Sequence, residues 1–388
     1  MARIIATGLD IGTSSIRVVV CEYKPGSNVP EVLALVRKSS RGLRRGYIIQ
    51  VDEAVNSIKE TLNEAERLAG VKIKSVLLAV GGVSLESKVA DGSVIVSRAD
   101  AEIGDLDINR VLDSSEQSLA TDINNKSILH RIPLAFKLDN KKILGRPDGM
   151  KGAKLETRTL FVVCGTQHLK DLIGAVEATG VRVDDIVAAP LAASFSTLTK
   201  IQKAAGCVLA NIGSQTTSTV VFEEGIPISL QVFPLGSTDI TNDIALGFQI
   251  PLEDAERIKR GESEPASSRK KLDQIIDARL SDIFEFVENH LKKIGRNGLL
   301  PAGIVITGGG SGISNIEDMA KSYFKLPAKT SQSAILGSSH NQIKDSAWSV
   351  AYGLCLFGSD AEAEESIGRR MFKNTKSSFI KWLKELLP

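Results

Sequence analysis

Asp10, Gly12, Thr13, Ser14, Ser15 and Arg17 lie within the stretch LDIGTSSIRVVV, where a glycine turn separates two apolar runs. An acid, a turn, three hydroxyls and a cation in so short a span are the groups that hold an oxyanion together with its counter-ion. Glycine lets backbone N–H groups converge, hydroxyls donate, and a carboxylate recruits a divalent cation. About 200 residues later the outline recurs as ANIGSQTTSTVVF, which places Asn211, Gly213, Ser214, Gln215, Thr216 and Thr217 in the corresponding positions. Two strand-turn-strand units are implied. Together they would converge on a small, highly charged ligand, for which a nucleotide phosphate tail is the candidate; either copy alone could be an ordinary hairpin.

A third element is IVITGGGSGISNI, residues 304–316. An apolar run enters Thr307, then Gly308, Gly309, Gly310 and Ser311, and a helix is predicted from Ser314. Glycines at a strand-to-helix turn let backbone approach a flat or charged group, and a helix N-terminus adds positive potential. The dinucleotide-binding fingerprint is excluded, because no acid sits at the ribose-binding distance in a following βαβ unit.

The elements that must position these residues follow from periodicity. The first 80 residues predict three strands, a helix over 52–69 with Asp52 as N-cap and Ile58, Leu62, Ala65 and Leu68 on one face, then a strand over 75–80. Residues 83–161 form an insertion: a strand over 88–96, a helix over 107–121 and a strand around 128–138. A buried strand is expected to begin at Phe161, followed by a helix ending at Gly180.

In this order the three glycine turns resemble the actin-like ATPase superfamily, which also holds the heat-shock ATPases and sugar kinases. DIGTSSIR is similar to its first phosphate loop, ANIGSQTT to its second and TGGGSG to its adenosine loop. IVAAPLAASFSTL (186–198) and DSAWSVAYGLCLF (345–357) resemble its two connecting helices, rich in small residues where helices cross closely. The insertion between Gly82 and the FVVC strand, with the phrases LHRIPLAFKLD, GSTDITNDIALGF and EDAERIKRG, resembles the FtsA cell-division family.

That resemblance implies an α/β, actin-like two-lobed ATPase fold with an inserted subdomain. The first-lobe core is 1–82 and 162–197, with 345–358 packing back, and the inserted subdomain is 83–161. The second-lobe core is 198–235 and 301–344, with a further subdomain at 236–300. It implies binding of ATP with Mg²⁺, Asp10 holding the metal through bound water, and Glu256 and Lys259 touching ribose and base. Arg17 stands where the family usually carries Lys, so charge is kept while the planar fork reaches differently. Asn211 stands where the second loop often has Asp, and Ala189 where hydrolytic relatives carry a water-orienting Glu or Gln, so tight binding with slow or no turnover is expected. The implied partners are further copies of the chain through the insertion, later division proteins, and the C-terminal peptide of FtsZ, faced by Lys271 and Arg279. A solvated surface pair is the bland alternative for Glu256 and Lys259, and pairing with neighbouring carboxylates for Lys271 and Arg279. The rival readings are a sugar kinase, which needs a Gly-Asp catalytic motif not evident here, and the pilus-assembly relative PilM.

Composition is neutral: 388 residues, 43% hydrophobic, can bury two sizeable cores, and a net charge of +2 gives no pull toward nucleic acid. Cys21, Cys164, Cys207 and Cys355 lie singly in apolar runs and no secretory h-region opens the chain, so reduced thiols in a cytosolic protein are expected. The histidines are scattered too, without ligand spacing, so no His or Cys metal site is expected. After a flexible linker expected over 359–368, the tail puts Phe379, Ile380, Trp382, Leu383, Leu386 and Leu387 on one helical face and basic residues including Lys381 and Lys384 on the other. A basic amphipathic helix with a Trp at a chain end suits an anionic membrane surface and is too short to span a bilayer. A docked terminal helix and a calmodulin-like target remain the alternatives. The resemblance agrees with the membrane reading and implies peripheral attachment on the cytoplasmic face at the division site.

Overall fold

A computed structural model of the chain describes residues 4–24, 29–97, 100–264, 268–331, 335–336, 342–343 and 345–365. The first lobe opens with β1 (Ile4–Ile11), β2 (Ser15–Tyr23), β3 (Glu31–Ser39), the short β4 (Leu43–Arg44) and β5 (Tyr47–Ile48), then α1 (Val51–Ala69) and β6 (Ser75–Val80). The insert supplies β7 (Glu86–Ile95), α2 (Asp105–Ser118), β8 (Lys126–Leu138), β9 (Lys141–Ile143) and β10 (Lys154–Gly165). The first lobe resumes with α3 (Thr166–Glu177), β11 (Arg182–Ala188) and α4 (Ala189–Thr197). The second lobe runs α5 (Lys200–Ala205), β12 (Cys207–Ile212), β13 (Thr217–Glu223), β14 (Ile226–Phe233), α6 (Ser237–Phe248), α7 (Leu252–Lys259), α8 (Arg269–Lys293), β15 (Ile304–Thr307), α9 (Ile316–Phe324) and β16 (Ala328–Thr330). After β17 (Ile335–Leu336) and β18 (Gln342–Ile343), α10 (Ser349–Glu365) returns to the first lobe.

Strand order in the first-lobe sheet is β11-β6-β1-β2-β3. Its central strands are near-continuous apolar runs because both faces are covered, by α1 on one side and by α10 on the other. The face of α1 carrying Ile58, Leu62 and Ala65 is buried, each large side chain worth about 1.5–3 kcal/mol when fully removed from water. Gly70, at φ 65°, ends that helix and donates its N–H to Glu66 O. Gln50 rather than Asp52 occupies the N-cap position, and Asp52 stands in the first turn with Glu53.

The second sheet has nine strands in the order β16-β15-β12-β13-β14-β7-β10-β8-β9, so the insert's strands continue the sheet of the second lobe. One apolar cluster, including Leu9, Leu78, Ile132, Leu160, Leu209 and Leu230, runs through both lobes and the base of the insert. A second lies beneath α6, α8 and α9, around Ile276, Leu280, Phe284 and Phe324. A third, around Val111, Phe136 and Leu155, joins α2 to its sheet. The four cysteines are buried and free.

Small residues at the helix crossing have a steric cause. A Cβ built on Gly353 of α10 would stand 1.9 Å from Ala192 O of α4, and one on Gly8 of β1 would stand 2.1 Å from Ala351 O. Only glycine lets these backbones approach so closely.

Three expectations are corrected. No strand begins at Phe161; β10 starts at Lys154 and runs unbroken from insert to first lobe, with irregular register at Arg158 and Val162. After the triple glycine comes a 3-10 turn, Gly309–Gly312, and the helix proper starts at Ile316 rather than Ser314. Residues 359–365 belong to α10, where a linker over 359–368 was expected, because the Ala and Glu of this stretch are strong helix formers. The rest of that linker and the tail lie outside the described residues, and with them Phe379, Ile380, Lys381, Trp382, Leu383, Lys384, Leu386 and Leu387.

Candidate functional site

The two glycine loops are built alike. In the β1–β2 hairpin Asp10 pairs with Arg17 and Ile11 with Ile16; in β12–β13 Asn211 pairs with Ser218 and Ile212 with Thr217. Gly12 N–H donates to Ser15 O at 3.1 Å, and Gly213 N–H donates to Thr216 O at 2.8 Å. A Cβ on either glycine would press on the oxygen that it bonds. The repeat in sequence is therefore a repeat of one turn, and the two turns face each other across a cleft of about 530 Å³.

Asp10, Gly12, Thr13, Ser14, Ser15 and Arg17 line the cleft from the first lobe. Asn211, Gly213, Ser214, Thr216, Glu256, Lys259, Gly308, Gly309 and Gly310 line it from the second. Three expected residues do not. Thr217 is buried in the sheet, its hydroxyl donating to Leu235 O at 2.8 Å. Ser311 is buried under its own 3-10 turn and donates to Gly308 O at 2.8 Å. Gln215 instead spans the lobes, its Oε1 accepting from Arg45 N–H at 2.9 Å. For Thr217 and Ser311 the strand period or turn aims the hydroxyl into the protein, and for Gln215 the amide oxygen is taken up by the Arg45 backbone, although each residue type suits a ligand contact.

Arg17 lies 3.6 Å from Asp10, with both side chains largely buried. Burial pushes the Asp10 carboxyl above its ordinary range against the opposing pull of Arg17. Burial likewise lowers the Arg17 guanidinium, against the pull of Asp10. The pair is thus under-compensated: desolvation outweighs one long ion pair. Arg17 Nε is buried without a hydrogen-bond partner among the described residues, an N–H for which a phosphate oxygen would be the acceptor. Beyond its own chain neighbours, a Cβ on Gly309 would meet, among the described residues, only Arg17 Nη2, at 4.0 Å, so this glycine faces open cleft. These features fit a nucleotide tail. Among the described residues no group of three or more His, Cys, Asp or Glu could hold a metal ion, so a divalent cation would rest on Asp10 and on the ligand's own phosphates, as Mg²⁺ does.

Glu256 and Lys259 are not a solvated pair. Lys259 Nζ lies 2.7 Å from Glu256 and donates to Thr241 Oγ1 at 2.8 Å and Ser237 O at 3.1 Å. Burial holds the Lys259 ammonium below its ordinary range. Burial would raise the Glu256 carboxyl, but bonds from Lys259, Thr241 and Arg260 outweigh it and hold the carboxyl low. The second glycine loop is braced by the start of α6: Ser237 N–H donates to Gly213 O at 2.9 Å and Thr238 N–H to Ser214 O at 2.7 Å.

Sequence reasoning missed Arg37, Gly46, Gly81, Gly82, Ser218, Ser237, Thr238, Arg260 and Asp345, all of which line the cleft. The Gly-Gly pair ending β6 carried the same strand-to-glycine signal that identified the third loop, and Ser-Thr opening α6 carried a helix-start signal. Arg37 is opposite Arg17 in the β2–β3 register, which no local pattern announces. Ala189 lines the cleft as the first residue of α4 and offers only a methyl group there.

Lys271 and Arg279 both lie on α8 and turn toward α6. Arg279 grips Asp243 with two bonds, 2.6 and 3.0 Å, and Asp282 with a third at 3.1 Å. Lys271 donates to Gly247 O at 2.5 Å and sits 5.2 Å from the centre of the Phe248 ring.

Two lobes around a nucleotide-sized cleft, joined by crossing helices α4 and α10, define an actin-like fold. Solved structures agree: the PilM–PilN type IV pilus biogenesis complex superposes with a TM-score of 0.70 at 17% identity over 92% of this chain and 99% of that one. MreB5 of Spiroplasma citri bound to ADP superposes with a TM-score of 0.55 at 14% identity over 94% and 99%.

The family described as "Cell division protein FtsA" matches residues 208–353, and the "SHS2 domain inserted in FTSA" matches residues 82–163. Cell division protein FtsA of Pseudomonas aeruginosa is 30% identical over 379 residues, covering 92% of this chain and 90% of that protein. FtsA of Bacillus subtilis is 28% identical over 90% and 82%, and FtsA of Escherichia coli K12 is 25% identical over 99% and 97%. The chain belongs to the FtsA family of cell division proteins. Among the described residues no helix is long and apolar enough to cross a membrane.

Proposed function

We propose that the chain binds ATP with Mg²⁺ in the inter-lobe cleft, self-associates, and tethers the FtsZ ring to the cytoplasmic face of the membrane during division. The observation that carries the nucleotide half is the pair of matched glycine turns facing each other across the cleft, with Arg17 Nε buried there and, among the described residues, unpartnered. ATP would supply a phosphoanhydride tail whose charge the bound cation partly neutralises. Thr13, Ser14 and the N–H groups of the two loops would hold the tail, Asp10 the cation, and Glu256 and Lys259 the nucleoside end. Arg17 exchanges a long bond to Asp10 for phosphate contacts.

Turnover is expected to be weak. A hydrolytic site needs a group that orients water. At the two positions where one would stand, Ala189 contributes a methyl group and Asn211 cannot carry a carboxylate charge. The tether itself rests on sequence: family membership supports FtsZ as partner, and the basic amphipathic tail supports the membrane. Arg279, bound to Asp243 and Asp282, could release one carboxylate to accept an acidic peptide along the α6–α8 face.

The test is co-sedimentation of FtsZ with anionic liposomes in the presence of the chain. Full-length protein should carry FtsZ down, and both removal of 369–388 and Trp382→Glu should leave FtsZ in the supernatant while ATP binding persists. FtsZ sedimenting equally well with the truncated chain would refute the tether.

A further inference from the structure

The insert is fastened to both lobes at places that adjoin the cleft. Toward the first lobe, His130 of β8 is fully buried, and its Nε2 accepts from Ala188 N–H at 3.0 Å, one residue before cleft-lining Ala189. Within the first lobe, His168 of α3 bonds Gly81 O at 2.9 Å and so anchors the Gly81 and Gly82 turn, which lines the cleft and leads into β7. Toward the second lobe, Glu86 of β7 pairs antiparallel with Gln231 of β14. Beside it Ser87 Oγ donates to Leu230 O at 2.9 Å and accepts from Leu230 N–H at 2.8 Å. One hydroxyl thus replaces both backbone partners of Leu230 at the point where the two sheets merge.

Val232, two residues along β14 from Leu230, lines the cleft, and so does Gly82, four residues before Glu86. Strand rise is about 3.3 Å per residue, so the seam lies roughly 7 Å along β14 from the cleft wall. The two sides of the seam are extensions of the two walls that a ligand would touch.

We infer that the β7–β14 seam is the device by which the insert senses occupancy of the cleft. Closure of the lobes on a nucleotide draws β14 toward β7 and tightens the Ser87–Leu230 pair; opening strains it, because the His130 contact and the unbroken β10 carry the insert with the first lobe. The state of the cleft is thereby passed to the surface of the insert without any side chain of the insert entering the cleft. The inference rests on the nucleotide reading above.

Leu230 N–H is a direct reporter, since its acceptor is Ser87 itself. Amide hydrogen exchange of the full chain is followed with and without MgATP. The expected result is at least tenfold slower exchange at Leu230 with MgATP, together with protection of 210–217 and 308–312. In Ser87→Ala the two cleft loops stay protected while the effect at Leu230 falls below twofold, and Ser87→Thr, which keeps the hydroxyl, restores it. Protected cleft loops with Leu230 unchanged in the unmodified chain would show a static joint and overturn the inference. Failure of MgATP to protect the cleft loops would overturn the nucleotide reading and this inference with it.

Discussion

Gly309→Val separates blocking the cleft from damaging its wall. Apart from the glycine's own chain neighbours, a Cβ at this position meets, among the described residues, nothing nearer than Arg17 Nη2 at 4.0 Å, so the valine methyls enter space that these residues leave open. Its neighbour Gly308 is the contrast: φ is +89°, and a Cβ there would stand 2.2 Å from Asn211 Oδ1 and 2.6 Å from Ile212 O. Valine at 309 should leave unliganded stability within about 0.5 kcal/mol, whereas alanine at 308 adds backbone strain of about 1–3 kcal/mol on top of the clash. For the ligand the order reverses. Valine at 309 fills the volume that base or ribose approaches and should weaken ATP at least 100-fold, about 2.7 kcal/mol. Thermal shift reads both effects. At 100 times Kd, ATP adds about 2.7 kcal/mol of stability to the unmodified chain, and after a 100-fold loss the same concentration adds only about 0.4 kcal/mol. The expected pattern is an unchanged unliganded Tm with the ATP shift nearly gone for Gly309→Val, and a lowered unliganded Tm for Gly308→Ala. Full ATP affinity in Gly309→Val would show that the ligand does not approach this loop, and a collapse of its unliganded Tm would show that the open space is not there.

Two further outcomes follow from buried polar groups. Thr307→Val removes the hydroxyl that bonds Ser349 Oγ at 3.0 Å and accepts from Ser331 Oγ at 2.9 Å, inside the cluster tying β15 to α10; it should cost about 1–3 kcal/mol in urea unfolding and weaken ATP several-fold, and unchanged values of both would remove the cluster as a support for the triple-glycine loop. His130 is held down to about 3 by burial, so its contribution to stability is complete above pH 6.5 and is lost as pH falls toward about 3. One such group contributes at most about 1.4 kcal/mol per pH unit. His130→Gln, whose Oε1 can still accept from Ala188 N–H, should flatten the fall of Tm between pH 6.5 and 4.5, and an unaltered slope would show that His130 is not neutral in the native state.

The glycine loops were legible because a strand-turn-strand unit is local: Asp10 to Arg17 and Asn211 to Ser218 each close within one hairpin, and each hairpin keeps its composition wherever it sits. The crossing helices were legible for a steric reason, since a carbonyl 1.9 Å from a would-be Cβ forbids anything larger than Gly353. What stayed hidden depends on partners distant in sequence. Arg37 reaches the cleft through a strand register, and Arg279 meets Asp243 across 36 residues. That Thr217 and Ser311 turn inward is hidden because a hydroxyl beside a glycine loop has the same composition whether it faces the cleft or the sheet. The insert marks the boundary most sharply. Its strands show their period and therefore their faces, but the period of a strand does not name its neighbour. Nothing in the run from Glu86 to Ile95 indicates that the strand joins the sheet of the other lobe. The ties that make this joint are side chain to backbone bonds at Ser87 and His130, residue types that are unremarkable on a strand. The contacts able to pass a cleft's state to another surface are thus the ones with the weakest local signature, because what defines them is the backbone group on the far side.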